Sequence, residues 1–381
     1  MTLPSACDVL IVGGGVMGTS AAFHLAEAGV DVVLVERGEL SGGSTSKAAG
    51  GVRANFSDEL NIMLGKRSLD LFAEFPQRPG QEIDLHRSGY LFVLTRPEDV
   101  ELFTASVALQ NSLGVESHMV GVDEACRLSP LLDPEDVLAA AWSPHDGHCT
   151  PESVVLGYAT GARRLGATVR TGVAVTGISH AGGEITGVQT TDGDVATGCV
   201  IDCAGAWSPE IAAYVGVELP VTPYKRELLI TEPLAEPFDT AFTIDYATSL
   251  YWHREGPGIL TGFSRKDTDA GFDISRDADF PERLAALAEH RAPGLLDLGV
   301  RSGWAGLYEV TPDHNALLGE SRQVSRFLYA TGFSGHGFLQ GPAVGEILRD
   351  LYLGEEPFID VTPLDVARFA SGELRPERNI V

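Results

Sequence analysis

Glycines at three positions near the start of the chain have the spacing of a dinucleotide-binding loop. Gly13, Gly15 and Gly18 form a G-x-G-x-x-G pattern. Gly13 permits a tight turn, Gly15 lets backbone N–H groups approach a pyrophosphate, and Gly18 lets a helix pack closely. Glu36, which follows further along, can accept hydrogen bonds from ribose hydroxyls and would repel a 2′-phosphate. The pattern predicts a dinucleotide site and argues against NADP.

The residues around this loop predict a strand, a helix and a second strand. Residues 8–12 (DVLIV) are a short apolar run that is typical of a buried parallel strand. A helix is expected over 19–28 and ends at Gly29, because glycine commonly terminates helices. The second strand is expected over 30–35, which places Glu36 at its carboxyl end. These elements would hold the phosphate groups at a helix N-terminus.

Composition excludes several classes of protein. The 381 residues include 53 acidic and 27 basic side chains, for a net charge of −26, which excludes a nucleic-acid binder with a general basic surface and argues against anionic membranes. The five cysteines form no C-x-x-C pair, and residues 1–7 show no export signal, so we expect a cytoplasmic protein. The histidine spacing predicts no metal site.

Three further segments carry a family resemblance. They are GSTSKAAGGVR at 43–53, DCAGAWS at 202–208 and ATGFSGHGF at 330–338. Together with the glycine loop they resemble the D-amino-acid-oxidase-like superfamily, in the branch of sarcosine oxidase, dimethylglycine dehydrogenase and the proline dehydrogenase β subunit. The resemblance covers nearly the whole chain. It implies an α/β fold with a Rossmann-type FAD-binding domain and a substrate domain built on a mostly antiparallel sheet.

The resemblance also implies a discontinuous domain arrangement. The FAD-binding domain is expected from residues 1–80, 145–215 and 305–381. The substrate domain is expected from 81–144 and 216–304. The active site would then lie between them, at the carboxyl ends of the parallel strands.

FAD is the cofactor that the resemblance implies, and a helix over 342–353 would point its positive end at the flavin. Non-covalent attachment is expected. Lys47 stands where dimethylglycine dehydrogenase relatives carry the attaching histidine, and residues 305–307 hold no cysteine. The residues expected to contact FAD are Gly13, Gly15, Val16, Met17, Gly18, Glu36, Arg37, Ser44, Thr45, Ala49, Gly50, Val173, Ala204, Gly205, Trp207, Gly332, Gly335, His336, Gly337 and Phe338.

Five residues are candidates for substrate binding and catalysis. Arg53 matches an arginine that binds substrate carboxylate or lines the site in this branch, and an arginine that is solvated or held in an ion pair is the alternative. Lys47 lies in the same segment. Tyr251 and His253 fall on one face of an expected strand, where relatives place groups over the flavin. His336 would contact the flavin, with a packed loop histidine as the alternative.

Two departures from monomeric sarcosine oxidases argue against sarcosine itself and against fast reaction with oxygen. Leu339 stands where those enzymes have a lysine, and residues 258–262 lack their oxygen-activating lysine. Lys225 or Lys266 could take that place. Electrons would then pass to a protein acceptor or partner subunit.

The leading hypothesis is FAD-dependent oxidation of the C–N bond of an N-alkyl or cyclic amino acid to an imine. The alternatives are a primary-amine oxidase of the glycine or D-amino-acid type, and a flavoprotein that serves as a subunit or assembly partner. Each predicts a small amine or amino-acid ligand or a protein partner, and none predicts nucleic acid or membrane as a partner.

Overall fold

A computed structural model describes residues 3–265, 267–372 and 374–380. One of its sheets has six strands. They are parallel except at one edge, where Leu317–Glu320 pairs antiparallel with Phe327–Thr331. In spatial order they are Leu317–Glu320, Phe327–Thr331, Val200–Asp202, Val9–Val12, Val32–Glu36 and Thr168–Thr171.

The second large sheet has eight strands and is antiparallel except where Phe242–Asp245 pairs with Tyr90–Leu94. In spatial order its strands are Val300–Val310, Thr222–Thr231, Gly258–Phe263, Tyr251–Glu255, Phe242–Asp245, Tyr90–Leu94, Ala139–Ser143 and His118–Val120. The expected combination of an α/β fold with a mostly antiparallel second sheet is confirmed.

Alternating side chains place the six-stranded sheet between two layers. Val9 and Ile11 face the helices, whereas Leu10 and Val12 face a small antiparallel sheet, because successive strand residues point to opposite faces. The small sheet contains Val175–Ala181, Glu184–Thr190 and Gly193–Val195. The helical layer consists of Val16–Glu27, Glu59–Glu74, Pro151–Arg164 and Gly337–Leu353.

The eight-stranded sheet is also covered on both faces. Its outer face packs Trp252 and Phe263 against helices Val122–Leu128 and Phe280–Arg291. Its other face carries an aromatic cluster that packs on helix Pro97–Ser112 and extends to the site described below; its members include Tyr90, Phe92, Phe103, Phe242 and Tyr251. The short helices Ser208–Ala213 and Arg368–Ser371 and a ribbon of Gly51–Val52 with Gly147–His148 complete the fold.

Two helices begin earlier than expected. The first begins at Val16 rather than residue 19, because the end of the glycine loop forms its first turn. The helix expected to begin at Pro342 begins at Gly337, so Pro342 lies inside it. Beside this proline, which has no N–H to donate, Ser68 Oγ accepts a hydrogen bond of 3.2 Å from the Ala343 N–H. The early start brings the helix N-terminus to the cavity described below.

The strands fall into two groups along the chain. Those of the six-stranded sheet lie within 9–36, 168–202 and 317–331, and those of the eight-stranded sheet lie within 90–143 and 222–310. The last strand, Val300–Val310, crosses the domain boundary expected at 304/305. Among the residues described, no helix combines the length and apolar character that crossing a bilayer requires.

Candidate functional site

A large cavity of about 600 Å³ lies at the carboxyl ends of the central parallel strands. Of the residues predicted to contact the cofactor, those that line it are Gly13, Gly15, Val16, Met17, Glu36, Arg37, Ser44, Thr45, Val173, Ala204, Gly205, Trp207, Gly335, Gly337 and Phe338. Ala49, Gly50 and His336 line a small adjoining cavity of about 100 Å³ instead. Gly18 and Gly332 line neither cavity and act through packing.

At its tightest point, the glycine loop has room only for a glycine. Gly13 has φ of +111°, and a Cβ there would lie 2.3 Å from the Cys203 carbonyl oxygen. A Cβ on Gly18 would lie 2.0 Å from the Gly13 carbonyl oxygen, so only glycine lets the helix pack this closely against the loop. Gly332 has φ of +71° and packs against Thr311. These positions shape the cavity wall without large side chains.

Glu36 is oriented by two backbone donors at the edge of the large cavity. Its Oε2 accepts from Gly14 N at 2.7 Å, and its Oε1 accepts from Gly38 N at 2.8 Å. Each carboxylate oxygen can accept a further hydrogen bond. This arrangement suits the two neighbouring hydroxyls of a ribose.

The first helix directs its N-terminus at the same cavity. The Val16 N–H donates to Thr45 Oγ1 at 3.2 Å, and Ser44 lies beside it in the wall. Free backbone N–H groups and the helix dipole at this end favour an anion such as a pyrophosphate. The start of the 43–53 segment therefore lies directly against the glycine loop in the wall of this region.

Trp207 closes another part of the large cavity. The Arg37 guanidinium lies 4.1 Å from the centre of its ring, and Phe272 stacks on it with ring centres 5.2 Å apart. Ala204 and Gly205 precede it in the wall, and Gly205 has φ of +58°. Trp207 and Arg37 therefore form a part of the cavity wall that combines an aromatic ring with a positive charge and is suited to packing against a base.

Glu309 offers a buried acceptor that sequence reasoning missed. It lines the large cavity, and its Oε2 is buried with no hydrogen-bond partner in the described part of the chain. Burial raises the pKa of this carboxyl to about 7. A hydroxyl donor in the cavity would satisfy it. Together with Glu36 and the helix N-terminus, it makes the polar groups of this cavity fit a flavin dinucleotide, with Glu309 suited to a ribityl hydroxyl.

The two cavities adjoin each other and share part of their walls. The residues that line both are Lys47, Ala48, Arg226, Tyr308, Gly335 and Phe338. Gly335 has φ of +99°, and a Cβ there would lie 2.5 Å from the Tyr308 ring, so only glycine permits this close approach. A molecule in the small cavity would therefore contact one end of a molecule in the large one.

Arg53 is a buried cation at the small cavity and is 4 % exposed. Its Nη1 donates to the Asn55 carbonyl and its Nη2 to the Asn379 carbonyl at 2.7 Å. Within the described residues, no carboxylate oxygen lies within 4 Å of the guanidinium. Burial lowers the pKa of Arg53 from its usual value. The structure therefore contradicts the alternative that Arg53 is held in an ion pair.

Aromatic rings surround this cation. The guanidinium lies 4.1 Å from the centre of the Phe56 ring, 5.3 Å from Phe92 and 5.9 Å from Tyr90. His336 packs edge-to-face on Phe56 with ring centres 5.1 Å apart. Burial, followed by the charge of Arg53, lowers the pKa of His336 well below its usual value, so this imidazole is neutral. The pocket is apolar and positive.

Arg226 adds a second positive charge that sequence reasoning missed. Its guanidinium lies 5.1 Å from the Tyr308 ring centre, and its Nη1 donates to the Lys225 carbonyl at 2.8 Å. It lines both cavities. It lies on strand Thr222–Thr231, and the pairing of that strand with Val300–Val310 places it beside Tyr308 at the cavities.

The candidates on strand Tyr251–Glu255 are separated. Tyr251 lines the small cavity, as alternation predicts. His253 points to the same face but is fully buried behind the wall, where its ring stacks on Phe242 at 4.5 Å. Lys225 donates to Asp277 Oδ1 at 2.6 Å, so its ammonium is engaged there. Lys266 lies outside the described residues.

Comparison with known proteins agrees with this geometry. A family model described as "FAD dependent oxidoreductase" (DAO) matches residues 8–351. The mitochondrial dimethylglycine dehydrogenase of Rattus norvegicus is 28 % identical over 384 residues, which cover 95 % of this chain and 45 % of that protein. The chain thus spans about half the length of the curated dehydrogenases that it matches.

Two solved structures match over nearly their whole length. L-proline dehydrogenase from P. horikoshii has a TM-score of 0.93 and 32 % identity, with 98 % of this chain and 100 % of that chain covered. Glycine oxidase from Geobacillus kaustophilus has a TM-score of 0.87 and 25 % identity, with 96 % and 99 % covered. Both are similar to this chain across the six-stranded and the eight-stranded sheet.

Proposed function

Because this chain belongs to the FAD-dependent oxidoreductase family, we propose that it oxidises the C–N bond of an N-alkyl or cyclic amino acid to an imine. Bound FAD supplies the acceptor for the hydride equivalent that leaves the carbon beside the nitrogen. The observation that carries the proposal is Arg53, a buried guanidinium at the small cavity with no carboxylate partner among the described residues.

Arg53 is the group we propose for the substrate carboxylate. A buried cation without a partner is unfavourable, and a carboxylate that enters the pocket compensates it. Asn55 and Asn379 occupy two of the guanidinium donors through their carbonyls and so fix its plane. The remaining donors can meet a carboxylate, which would hold the neighbouring carbon in one orientation.

The same pocket favours the neutral amine. Arg53 and Arg226 place two positive charges at the small cavity, and both charge repulsion and apolar surroundings lower the pKa of a bound ammonium group. Tyr90, Phe242 and Tyr251 supply flat walls, with Tyr90 and Phe242 stacked 4.3 Å apart. These rings exclude water and confine the substrate against the face shared with the large cavity.

The electron acceptor is proposed to be a protein or partner subunit rather than oxygen. Strand Gly258–Phe263 carries no lysine, and Lys225 is paired with Asp277. The chain therefore lacks, at these two places, the free ammonium group expected for rapid oxygen reduction. Assays in air and with an artificial acceptor separate the two acceptors directly.

The experiment is anaerobic reduction of the FAD-loaded protein by a panel of amines. The proposal expects flavin bleaching by L-proline or dimethylglycine and slower bleaching by sarcosine, glycine and D-alanine. The likeness to glycine oxidase favours one second candidate, a primary-amine oxidase, and preferential bleaching by glycine or D-alanine would select it. If no amine reduces the flavin and another protein co-purifies, the role of subunit or assembly partner replaces both.

A further inference from the structure

Three histidine rings pack together behind the wall of the small cavity. His86 and His148 stack with ring centres 5.0 Å apart, and His148 and His253 lie 4.4 Å apart. Phe242 separates His253 from the small cavity, because it stacks on the imidazole and lines that cavity. The cluster is therefore distinct from the proposed substrate site.

His253 has a hydrogen-bonding conflict. Its Nδ1 lies 2.6 Å from the Arg254 carbonyl oxygen, and its Nε2 lies 2.9 Å from the Ala49 carbonyl oxygen. Both oxygens can only accept, whereas a neutral imidazole carries a single N–H. A second proton would resolve the conflict only by placing an unpaired charge on a completely buried ring. With the proton on Nε2, the Nδ1 lone pair faces the Arg254 oxygen, and a cation there would attract both.

His148 and Glu255 are placed to share such a cation. His148 is 6 % exposed, and its ring makes no hydrogen bond within the described chain. One nitrogen of its neutral imidazole therefore has a free lone pair. Glu255 is partly buried, and its carboxylate forms no ion pair with the described residues.

We propose that His148, His253 and Glu255 bind a divalent transition-metal ion such as Zn²⁺. One ligand atom from each lies within 4.8 Å of the others. Two imidazoles and a carboxylate are a ligand set that Zn²⁺ uses, with bonds of about 2.0–2.2 Å. In a tetrahedral site the ligand atoms are about 3.4 Å apart. The three side chains therefore have to close in by up to about 1.4 Å when the ion binds, mainly through a rotamer change of the partly exposed Glu255, and the Arg254 carbonyl or a water completes the site.

The ion would connect two parts of the fold. His148 belongs to the strand Gly147–His148, which pairs with Gly51–Val52 beside the cofactor-contact segment. His253 and Glu255 belong to the eight-stranded sheet. Because metal binding adds to the stability of the folded state, the ion would hold this segment against that sheet. The sequence spacing gave no indication, since the ligands come from two distant strands.

Zn²⁺ binding to the metal-stripped, FAD-loaded protein tests the proposal. Calorimetric titration and metal analysis after gel filtration should give one ion per chain. Glu255→Gln changes a group at the rim of the cluster, and His148→Phe keeps a stacked ring without a ligand atom. Each should weaken binding at least tenfold and reduce the Zn²⁺-dependent rise in Tm.

A surface cluster provides the matched control. Glu116 accepts from His118 Nε2 at 3.0 Å and lies 2.9 Å from His145 Nε2, so it offers exposed imidazoles around a carboxylate. Glu116→Gln should leave Zn²⁺ affinity unchanged. Loss of binding in Glu116→Gln with retention in Glu255→Gln would assign the ion to that surface and overturn the proposal, as would the absence of stoichiometric binding in the unaltered protein.

Discussion

The guanidinium of Arg53 donates a hydrogen bond to the main-chain oxygen of Asn379 across 2.7 Å. The two residues are 326 positions apart in the chain. Asn379 itself is buried, and Glu377 fixes this stretch by accepting from Ser57 N at 2.9 Å and from Asn61 Nδ2 at 2.9 Å. The orientation of the proposed carboxylate-binding group thus depends on a backbone contact with a distant segment.

Replacement of Arg53 by methionine should weaken binding of an amino-acid substrate. Methionine keeps an apolar stem over Phe56 and removes the charge, so a carboxylate in the pocket loses its partner, at a cost of about 2–5 kcal/mol. The dependence of the anaerobic flavin-reduction rate on substrate concentration gives the Kd. Arg53→Lys retains charge but not the planar fork, and a smaller loss is expected. Arg322→Met on the exposed surface is the control, and an unchanged Kd in Arg53→Met removes Arg53 from the substrate site.

Replacement of Glu36 by alanine should lower the affinity for FAD. The variant loses the carboxylate that is oriented by Gly14 and Gly38, along with its hydrogen bonds to the ribose, and we expect a loss of about 1–3 kcal/mol. Fluorescence titration of the FAD-free protein measures it. Asp194→Asn, at an exposed position in the small sheet, should bind FAD as the unaltered chain does. Equal affinities in all three proteins would contradict the assignment.

Removal of the charge of Arg226 should move the pH dependence of turnover. A positive charge beside the substrate lowers the pKa of its ammonium group, so the neutral amine exists at lower pH. In Arg226→Gln that pKa rises, and the acidic limb of kcat should shift to higher pH. Arg226→Lys keeps the charge and should keep the limb near its original position. A shift of the same size in both variants would point to altered packing against Tyr308 instead.

Asp202 should make folding stability depend on pH. Its carboxyl is completely buried, with Oδ1 accepting from Ala204 N and Ser208 Oγ, and burial raises its pKa to about 7. The folded state therefore holds a proton that the unfolded state releases near pH 4, and stability is lost as pH rises from about 4 to about 7. Asp202→Asn preserves both accepted bonds and removes the titration.

The stability difference between Asp202→Asn and the unaltered protein should therefore grow across that range, to at most about 4 kcal/mol. Chemical unfolding at fixed FAD concentration and several pH values measures it. A difference that stays constant from pH 4 to pH 8 would show that Asp202 ionises freely in the folded protein.

Local patterns were sufficient for the cofactor loop. The roles of Gly13 and Glu36 depend on a turn, a strand end and a helix start within one short segment, so spacing alone indicates them. Proline favours the first turn of a helix, so Pro342 predicts a later start than the observed one at Gly337. Ser68, which accepts from the Ala343 N–H beside that proline, lies on a different helix and gives no local signal.

The substrate site depends more on tertiary contacts. Alternation on a strand correctly placed Tyr251 and His253 on one face, but the depth of each side chain depends on Phe242 from the neighbouring strand. Arg226 and Glu309 had no motif to single them out. Their position at the cavities follows from the pairing of strands Thr222–Thr231 and Val300–Val310, which sequence periodicity does not specify.

The central claim is that the carboxylate of the substrate, held by Arg53, positions the amine for oxidation by the bound flavin. Matched pairs test it most directly: L-proline against pyrrolidine, and sarcosine against dimethylamine, each mixed anaerobically with the FAD-loaded protein. The account predicts flavin reduction at least about 30-fold more efficient with the acid of the preferred pair, the equivalent of about 2 kcal/mol. Equal reduction by the acid and by the amine that lacks a carboxylate would contradict it.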